Sequence, residues 1–428
     1  MFKTLRPVFS LLLGIGFLLT GHGLQFTLLP LSGEASGFDT VMLGLLGSSY
    51  YVGFVAGCLL GPYVILRAGH IRTFAAMVST AAVMVLCHSL MRDPLVWNGL
   101  RALSGFSLAT LYLVIESWLN DRASNTTRGT VMSAYIVVNF GAFTVGQMLV
   151  SIYPVTAMAP FVLAAILISL ATLPVALTSA AQPAPISLVR FRPRRLFATA
   201  PVAFVAAFMI GVSNGAFWAL GAVFATGIGL SVEQAALFVS ATVAGGALGQ
   251  WPVGRLSDRI DRRIVLAILL VGSVVSGLAL GLLTVSTDVL LIMGFVFGVV
   301  TLPGYSLAAA HAYDKTATGE YVETAAGVLL LNGLGSVCGP LIAAIAIARG
   351  GPHALFLMTA AVQAMLFVFI VVRIRVRSAP ASADKTDFSA ASTAPMGTVI
   401  PPGTDERPAF AGHASVASAP GTGRPAAG

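Results

Sequence analysis

Few side chains able to do chemistry stand within the apolar stretches of this 428-residue chain, and Arg101, His22 and Glu116 lead them. An Arg at the centre of a membrane helix costs about 2.5–3.5 kcal/mol on insertion scales, so such residues usually face a bundle interior. There Arg101 would bind an anionic or polar solute or take part in coupling. Arg101 also lies seven residues after Pro94, and helical side chains lean towards the N-terminus, so snorkelling to nearby water is the competing reading. His22, within Thr20-Gly-His-Gly23, titrates near neutral pH and suits a proton or solute ligand; a buried His bonded to a neighbouring helix fits as well. Glu116, the only acidic residue expected inside a span, is 15 residues from Arg101. That is about 22 Å along one helix, so the two do not pair, and Arg67, Arg72 or Arg128 is its expected partner. Gln25, Asn139, Asn214, Trp218, Tyr305, His311 and Asn332 are further cavity candidates, although such groups also serve as interhelical hydrogen bonds. Cys58, Cys87 and Cys338 read as small packing residues. No HExxH or Walker loop is present, so an enzyme, a metal site, a cofactor or ATP drive is not expected.

The elements that must position these groups are apolar runs of membrane-spanning length. Twelve are expected, at roughly 8–29, 41–66, 73–91, 95–118, 131–152, 160–177, 201–228, 234–253, 264–284, 289–311, 324–347 and 353–372, each near the ~20 residues that cross a hydrocarbon core. The first is too long for a secretory signal core and lacks a cleavage site, so it reads as a retained anchor. The chain is 57% hydrophobic and 9% charged, with a net charge of +8. That positive balance reflects orientation rather than nucleic acid. Of 24 Lys and Arg, 21 fall in the termini or even-numbered loops, with only Arg92 and Arg349 opposite and Arg101 inside. Basic residues are retained on the cytoplasmic side, so both termini are expected there, in a bacterial-type inner membrane.

The segment 178–200, with Pro183, Pro185 and a run from Arg190 to Arg195, divides the spans six and six. The expected organisation is an N-terminal bundle (1–177), a cytoplasmic linker (178–200), a C-terminal bundle (201–373) and a tail (374–428) too poor in apolar residues to form a core. The halves repeat. An offset of 193 without a gap pairs Gly61 with Gly254, Gly105 with Gly298, Tyr112 with Tyr305, Asp121 with Asp314, Asn139 with Asn332 and Gly146 with Gly339. Six spans per copy make the repeat parallel, the arrangement of transporters whose halves rock about a central site. The correspondence of span 7 with span 1 is what places Asn214 and Trp218 in the cavity.

Between spans 8 and 9 stands Gly254-Arg-Leu-Ser-Asp258-Arg259-Ile-Asp-Arg262-Arg263, and between spans 2 and 3 Gly61-Pro-Tyr-Val-Ile-Leu-Arg67-Ala-Gly69-His70-Ile-Arg72. The first resembles the cytoplasmic signature of the major facilitator superfamily; the second departs from it, with Ile65 where the signature has Asp. Arg101-Ala-Leu-Ser-Gly105 is similar to that superfamily's span-4 arginine motif. Gly335-Ser-Val-Cys-Gly339-Pro340 is similar to a small-residue motif of its antiporters, whose span-5 position here carries Gln147 rather than Pro. Glu116-Ser117, Arg128-Gly129, Gly146-Gln147 and Gly249-Gln250-Trp251-Pro252 resemble the YcaD-like branch. The resemblance implies an all-α fold of two pseudo-symmetric six-helix bundles. It also implies a gate at the cytoplasmic loops, formed by Gly61, Arg67, Gly69, Arg72, Glu116, Arg128, Gly254, Asp258, Arg259 and Asp314. Asp258 is expected to face the start of span 5, where free N–H groups attract a carboxylate, whereas Arg262 and Arg263 are expected only to set topology.

The expected function is secondary transport of a small solute by alternating access, with protons as the candidate coupling ion. The chain would act as a monomer in the bilayer and bind no nucleic acid. A drug or toxic-metabolite exporter is the narrower alternative, and a non-transporting sensor the alternative of another class.

Overall fold

The computed structural model describes residues 8–123, 127–177, 192–316 and 320–376, together with Leu5 and Pro183. Among them are twelve helices long and apolar enough to cross a membrane. Spans 1 to 6 are Phe9–Ala35, Thr40–Ala68, His70–Leu90, Pro94–Arg122, Gly129–Ser151 and Ala159–Ala176. Spans 7 to 12 are Pro201–Gly227, Val232–Arg259, Arg262–Leu282, Thr287–Tyr313, Tyr321–Gly350 and Ala354–Val376. Helices suit these sequences because a lipid core offers backbone amides no water, so each amide must be satisfied within its own segment. The polar caps stand where the apolar runs begin. Asp39 accepts from Met42 N at 2.7 Å ahead of span 2, Asp93 from Leu95 N and Val96 N ahead of span 4, and Ser231 and Gln234 form a reciprocal capping box on span 8.

Several spans outrun their apolar cores. Span 1 continues through Pro30 to Ala35 and takes Glu34 with it, so Glu116 is not the only acidic residue within a span. Six spans form each half, and the same backbone approaches recur in both. A Cβ on Gly53 would lie 1.7 Å from Ala102 O, and one on Gly105 2.0 Å from Tyr50 O. In the second half Gly245 meets Phe295 O and Gly298 meets Thr242 O in the same way. Gly23 and Gly146 lock spans 1 and 5 together, as Gly211 and Gly339 lock spans 7 and 11. Only glycine permits helix backbones to touch like this.

These contacts correct the register of the repeat. Gly53 and Gly245 stand 192 apart, whereas Gly105 and Gly298 stand 193 apart. Spans 3 and 9 begin at His70 and Arg262, 192 apart, and spans 4 and 10 at Pro94 and Thr287, 193 apart. The extra residue therefore lies in the turn 283–286, which is one longer than its counterpart 91–93. By packing, Gly254 corresponds to Pro62, not to Gly61. A sequence offset alone follows chance glycine matches across such a gap.

Large apolar side chains are exposed along the spans, among them Leu13, Val137, Ile268, Val275, Ile292 and Val368. The surface thus suits lipid, while buried polar residues collect inside. Phe9 and Val376 lie at one end of the bundle, here called the terminal end; Ala35 and Gly227 lie at the far end.

Candidate functional site

A cavity of about 250 Å³ lies between the halves, at mid-depth and towards the terminal end. The first half contributes His22 and Phe26 from span 1, Tyr50, Tyr51 and Phe54 from span 2, Tyr112 from span 4, and Asn139 and Phe143 from span 5. The second contributes Asn214 and Trp218 from span 7, Gln250 from span 8, Tyr305 from span 10, and Asn332 and Ser336 from span 11. Tyr112 and Tyr305, like Asn139 and Asn332, are repeat-related pairs, so the twofold relation of the halves is written into the walls. The backbone approaches of Gly23 to Phe143 and of Gly211 to Asn332 bring these spans together tightly enough to aim the side chains inward.

His22, Asn139, Asn214, Trp218, Tyr305 and Asn332 thus share one cavity. Gln25 does not: it is 1% exposed and buried beside His22. His311 is likewise buried away from the cavity. Tyr50, Phe26 and Gln250 also line the cavity, although their sequence context does not mark them as cavity residues. Aromatic side chains in an apolar run give no periodic signal that separates a cavity wall from a packed core, and Gln250 stood out only as part of a family motif.

Arg101 does not line this cavity. It is 3% exposed and occupies a small chamber on the far-end side, bounded by Phe26, Pro30, Leu43, Tyr50 and Tyr51. Its Cζ lies 4.5 Å from the Tyr50 ring centroid and 5.0 Å from that of Phe26. A desolvated cation over an aromatic face gains about 2 kcal/mol, and two faces replace part of the lost hydration. No carboxylate lies within 4.0 Å among the described residues, and Nη1 has no hydrogen-bond partner there. Both sequence readings are corrected, since the guanidinium neither snorkels to water nor enters the main cavity. Phe26 and Tyr50 stand between it and the cavity, having one ring each in both walls. Tyr50 then links onward, its hydroxyl 3.3 Å from His22 Nε2.

The two halves meet at the far end. Trp218 packs edge-on against Phe26 and Phe143 at centroid distances of 6.0 and 5.7 Å. Beyond it, Gly44 and Gly47 of span 2 sit against Pro340 and Ala344 of span 11 and Ala219 of span 7. Last, Thr226 Oγ1 donates to Glu34 Oε2 at 2.8 Å, joining span 7 to span 1. Small residues bring the backbones together here, and one polar latch closes the rim.

At the terminal end several charged side chains are buried and held by specific partners. Glu116, 4% exposed, accepts from the Tyr135 hydroxyl at 3.1 Å, and neither Arg67 nor Arg72 reaches it within 4.0 Å. The Arg128 side chain lies outside the described residues. Asp258 is 3.8 Å from Arg262 one turn on. Arg262 and Arg263 do more than set topology, because both are buried and paired. Arg262 Nε lies 3.2 Å from Asp314 Oδ2, with the side chains 1% and 2% exposed, and Arg263 bonds Asp261 at 2.8 Å. Asp261 also caps span 9 through Arg263 N. Burial raises the Asp261 pKa, but the Arg263 side-chain and backbone hydrogen bonds outweigh that and hold it below its ordinary value. Gly69, at φ +80°, makes the turn into span 3 that a side chain would strain. Gly61 faces Thr110 and Leu113 of span 4, and Gly254 is buried within span 8. Arg259 is in the last turn of span 8. A short helix, Pro193–Thr199, is pinned to the start of span 11 by Arg195 with Glu320 and by Arg192 with Glu323.

The family description Major Facilitator Superfamily matches residues 203–418. The chain is 27% identical over 382 residues to the uncharacterized MFS-type transporter YcaD of Escherichia fergusonii, a match covering 86% of this chain and 96% of that protein. An uncharacterized MFS-type transporter of Yersinia pestis is 27% identical over 376 residues with the same coverage. Among solved structures, the nucleoside transporter NupG superposes with a TM-score of 0.75 at 14% identity, covering 87% of this chain and 100% of that one. The E. coli fucose:proton symporter FucP does so with 0.56 at 14%, covering 86% and 99%. At such identities the superpositions bear on the fold. With the family match spanning half of the sequence, the twelve helices in two repeated halves around one cavity place this chain in the Major Facilitator Superfamily, as a multi-pass membrane transporter.

Proposed function

We propose that this chain moves a small solute across a bacterial inner membrane by alternating access, coupled to protons, and works as a monomer with both termini in the cytoplasm. One observation carries the reading: a cavity at mid-depth lies between two repeated halves whose far ends are joined, among the described residues, by packing, the Thr226–Glu34 hydrogen bond and a 3.5 Å contact of Ser240 Oγ with Met148 Sδ. Contacts of that kind can break and re-form within a cycle. The bias of Lys and Arg towards the terminal end assigns that end to the cytoplasm, which makes the far-end seal periplasmic. Solute binds in the cavity and the halves rock. The buried charges at the terminal end, with the Gly61–Arg72 and Gly254–Arg263 loops, then form the opposing gate.

The coupling element we infer is the line from Arg101 through Tyr50 to His22. Arg101 holds a fixed positive charge behind the cavity wall, and His22 is the titratable group on the cavity side. Protonation of His22 places a second cation near the first, and closing around a solute changes the balance between them.

The test is purified protein in proteoliposomes, with accumulation of radiolabelled solutes followed under imposed pH gradients of either sign. Gradient-driven accumulation is expected, and His22→Asn should abolish it while leaving solute counterflow. Absence of flux for every solute tried, in protein that stays folded and monodisperse, would refute transport. Full accumulation by His22→Asn would refute the coupling element alone.

A further inference from the structure

We infer that the solute is an uncharged planar aromatic molecule with an amide-like or hydroxyl edge, a ligand class that rests on the transport reading only in taking the cavity as the solute site. Three observations converge. First, among the described residues no Asp, Glu, Lys or Arg lines the cavity. A charged solute would surrender its hydration and, while His22 is neutral, find no counter-ion in the wall. The one nearby cation, Arg101, is turned away, its charge already taken up by the Tyr50 and Phe26 faces.

Second, the walls are flat rings on both sides. Phe26, Tyr50 and Phe143 of the first half face Trp218 and Tyr305 of the second. The contacts of Trp218 with Phe26, Phe143 and Phe217 are edge-on, so no described ring stacks face to face on the indole, the arrangement a planar guest would supply. A cavity of about 250 Å³ is near the lower end of small-molecule pockets, which suits one or two fused rings rather than an extended lipid or peptide.

Third, three amides of the wall keep an atom without a hydrogen-bond partner. These are Asn139 Nδ2 from span 5, Asn214 Oδ1 from span 7 and Gln250 Oε1 from span 8 among the described residues. Asn139 and Gln250 are each 9% exposed, and the Asn139 amide lies beside the Tyr112 and Tyr135 hydroxyls without a hydrogen bond of normal geometry. A buried amide atom left unpaired forfeits the hydrogen bond it had to water, so a guest that pairs with it is favoured. A donor on one half and an acceptor on the other match a guest edge that carries both, and such a guest would bridge the halves. Asn332 and Ser336, by contrast, are already bonded to Ala207 O and Gly211 O, so they shape the wall without calling for a ligand.

Ligand class can be read from binding alone. Quenching of Trp218 fluorescence would be titrated in detergent-purified full-length protein with matched triplets on one ring. These are indole-3-acetamide, indole-3-acetate and tryptamine, then nicotinamide, nicotinate and 3-picolylamine. The amides should bind about tenfold or more tightly than either charged relative. Asn139→Leu and Gln250→Leu should each erase that preference while leaving the monodisperse peak and the melting temperature in place, and Trp218→Phe should remove the signal. A preference for the carboxylates or the amines, equal binding across each triplet, or no quenching by either amide would overturn the assignment. Should either leucine variant fail to fold, Asn139→Ser and Gln250→Ser give the same readout with less added bulk. Solute flux in proteoliposomes is measured separately: amide-selective quenching without flux would sink the transport reading and leave the ligand class standing.

Discussion

The Thr226–Glu34 hydrogen bond is the only side-chain hydrogen bond between oxygen atoms that joins the two halves at the far end among the described residues, and Thr226→Val deletes it with little change in shape. Its strength can be bounded. A hydrogen bond to an ionised group contributes about 1.5–3 kcal/mol. Here the lower figure applies, because both residues are half-exposed and Glu34 regains water when the rim opens. The hydroxyl also has acceptors in its own helix, Ala222 O at 3.2 Å and Val223 O at 3.1 Å. About 1.5 kcal/mol is roughly a 13-fold shift towards the open rim, so an open fraction of about 1% would become about 11%. Double electron–electron resonance between spin labels at Ala35→Cys and Glu233→Cys would read it, with Cys58, Cys87 and Cys338 replaced by Ala. A longer-distance population should appear in Thr226→Val and grow in the absence of solute. An unchanged distance distribution would refute the assignment of this contact as a latch. So would a shift of equal size in Thr226→Ser, which keeps the hydroxyl.

Three further outcomes follow from the packing. Gly105→Val would force a branched side chain against Tyr50 O, where even a Cβ would lie 2.0 Å away; overpacking costs about 1–3 kcal/mol, and a lowered melting temperature in scanning fluorimetry is the check. Breaking the buried Arg262–Asp314 pair on one side, with Arg262→Met or Asp314→Leu, should each cost about 3–5 kcal/mol, whereas the double variant should recover most of it; additive losses would contradict a direct pair. Asp261 has a folded-state pKa below its ordinary value, so its stabilisation is present above the unfolded pKa and is lost as pH falls through the folded one. The melting-temperature gap between the parent protein and Asp261→Asn should therefore be full at neutral pH and close in strong acid, and a gap that persists there would contradict the linkage.

The twelve spans were legible from the residues alone. Apolar runs of fixed length, separated by loops that carry the basic residues, dictate twelve helices because a hydrocarbon core tolerates no unsatisfied backbone. The six-plus-six repeat was legible too, since glycines at helix contacts and paired Asn and Tyr positions recur at nearly one offset. The buried charges at the terminal end were visible as residues, but their pairing was not. Arg262 reaches Asp314 rather than acting as a free topogenic charge, and nothing in linear sequence states which loops fold over each other.

Sequence by itself determined the class of molecule, because length, hydropathy and charge bias are one-dimensional properties that the bilayer reads directly. Tertiary structure alone decided three things: the one-residue insertion in the turn 283–286, the position of Arg101 behind Phe26 and Tyr50, and the identity of the aromatic walls. Each depends on which face of a helix meets which neighbour. Around an apolar helix every face looks alike until close glycine contacts fix its rotation, and only then does a tyrosine become a cavity wall or an arginine the charge behind it.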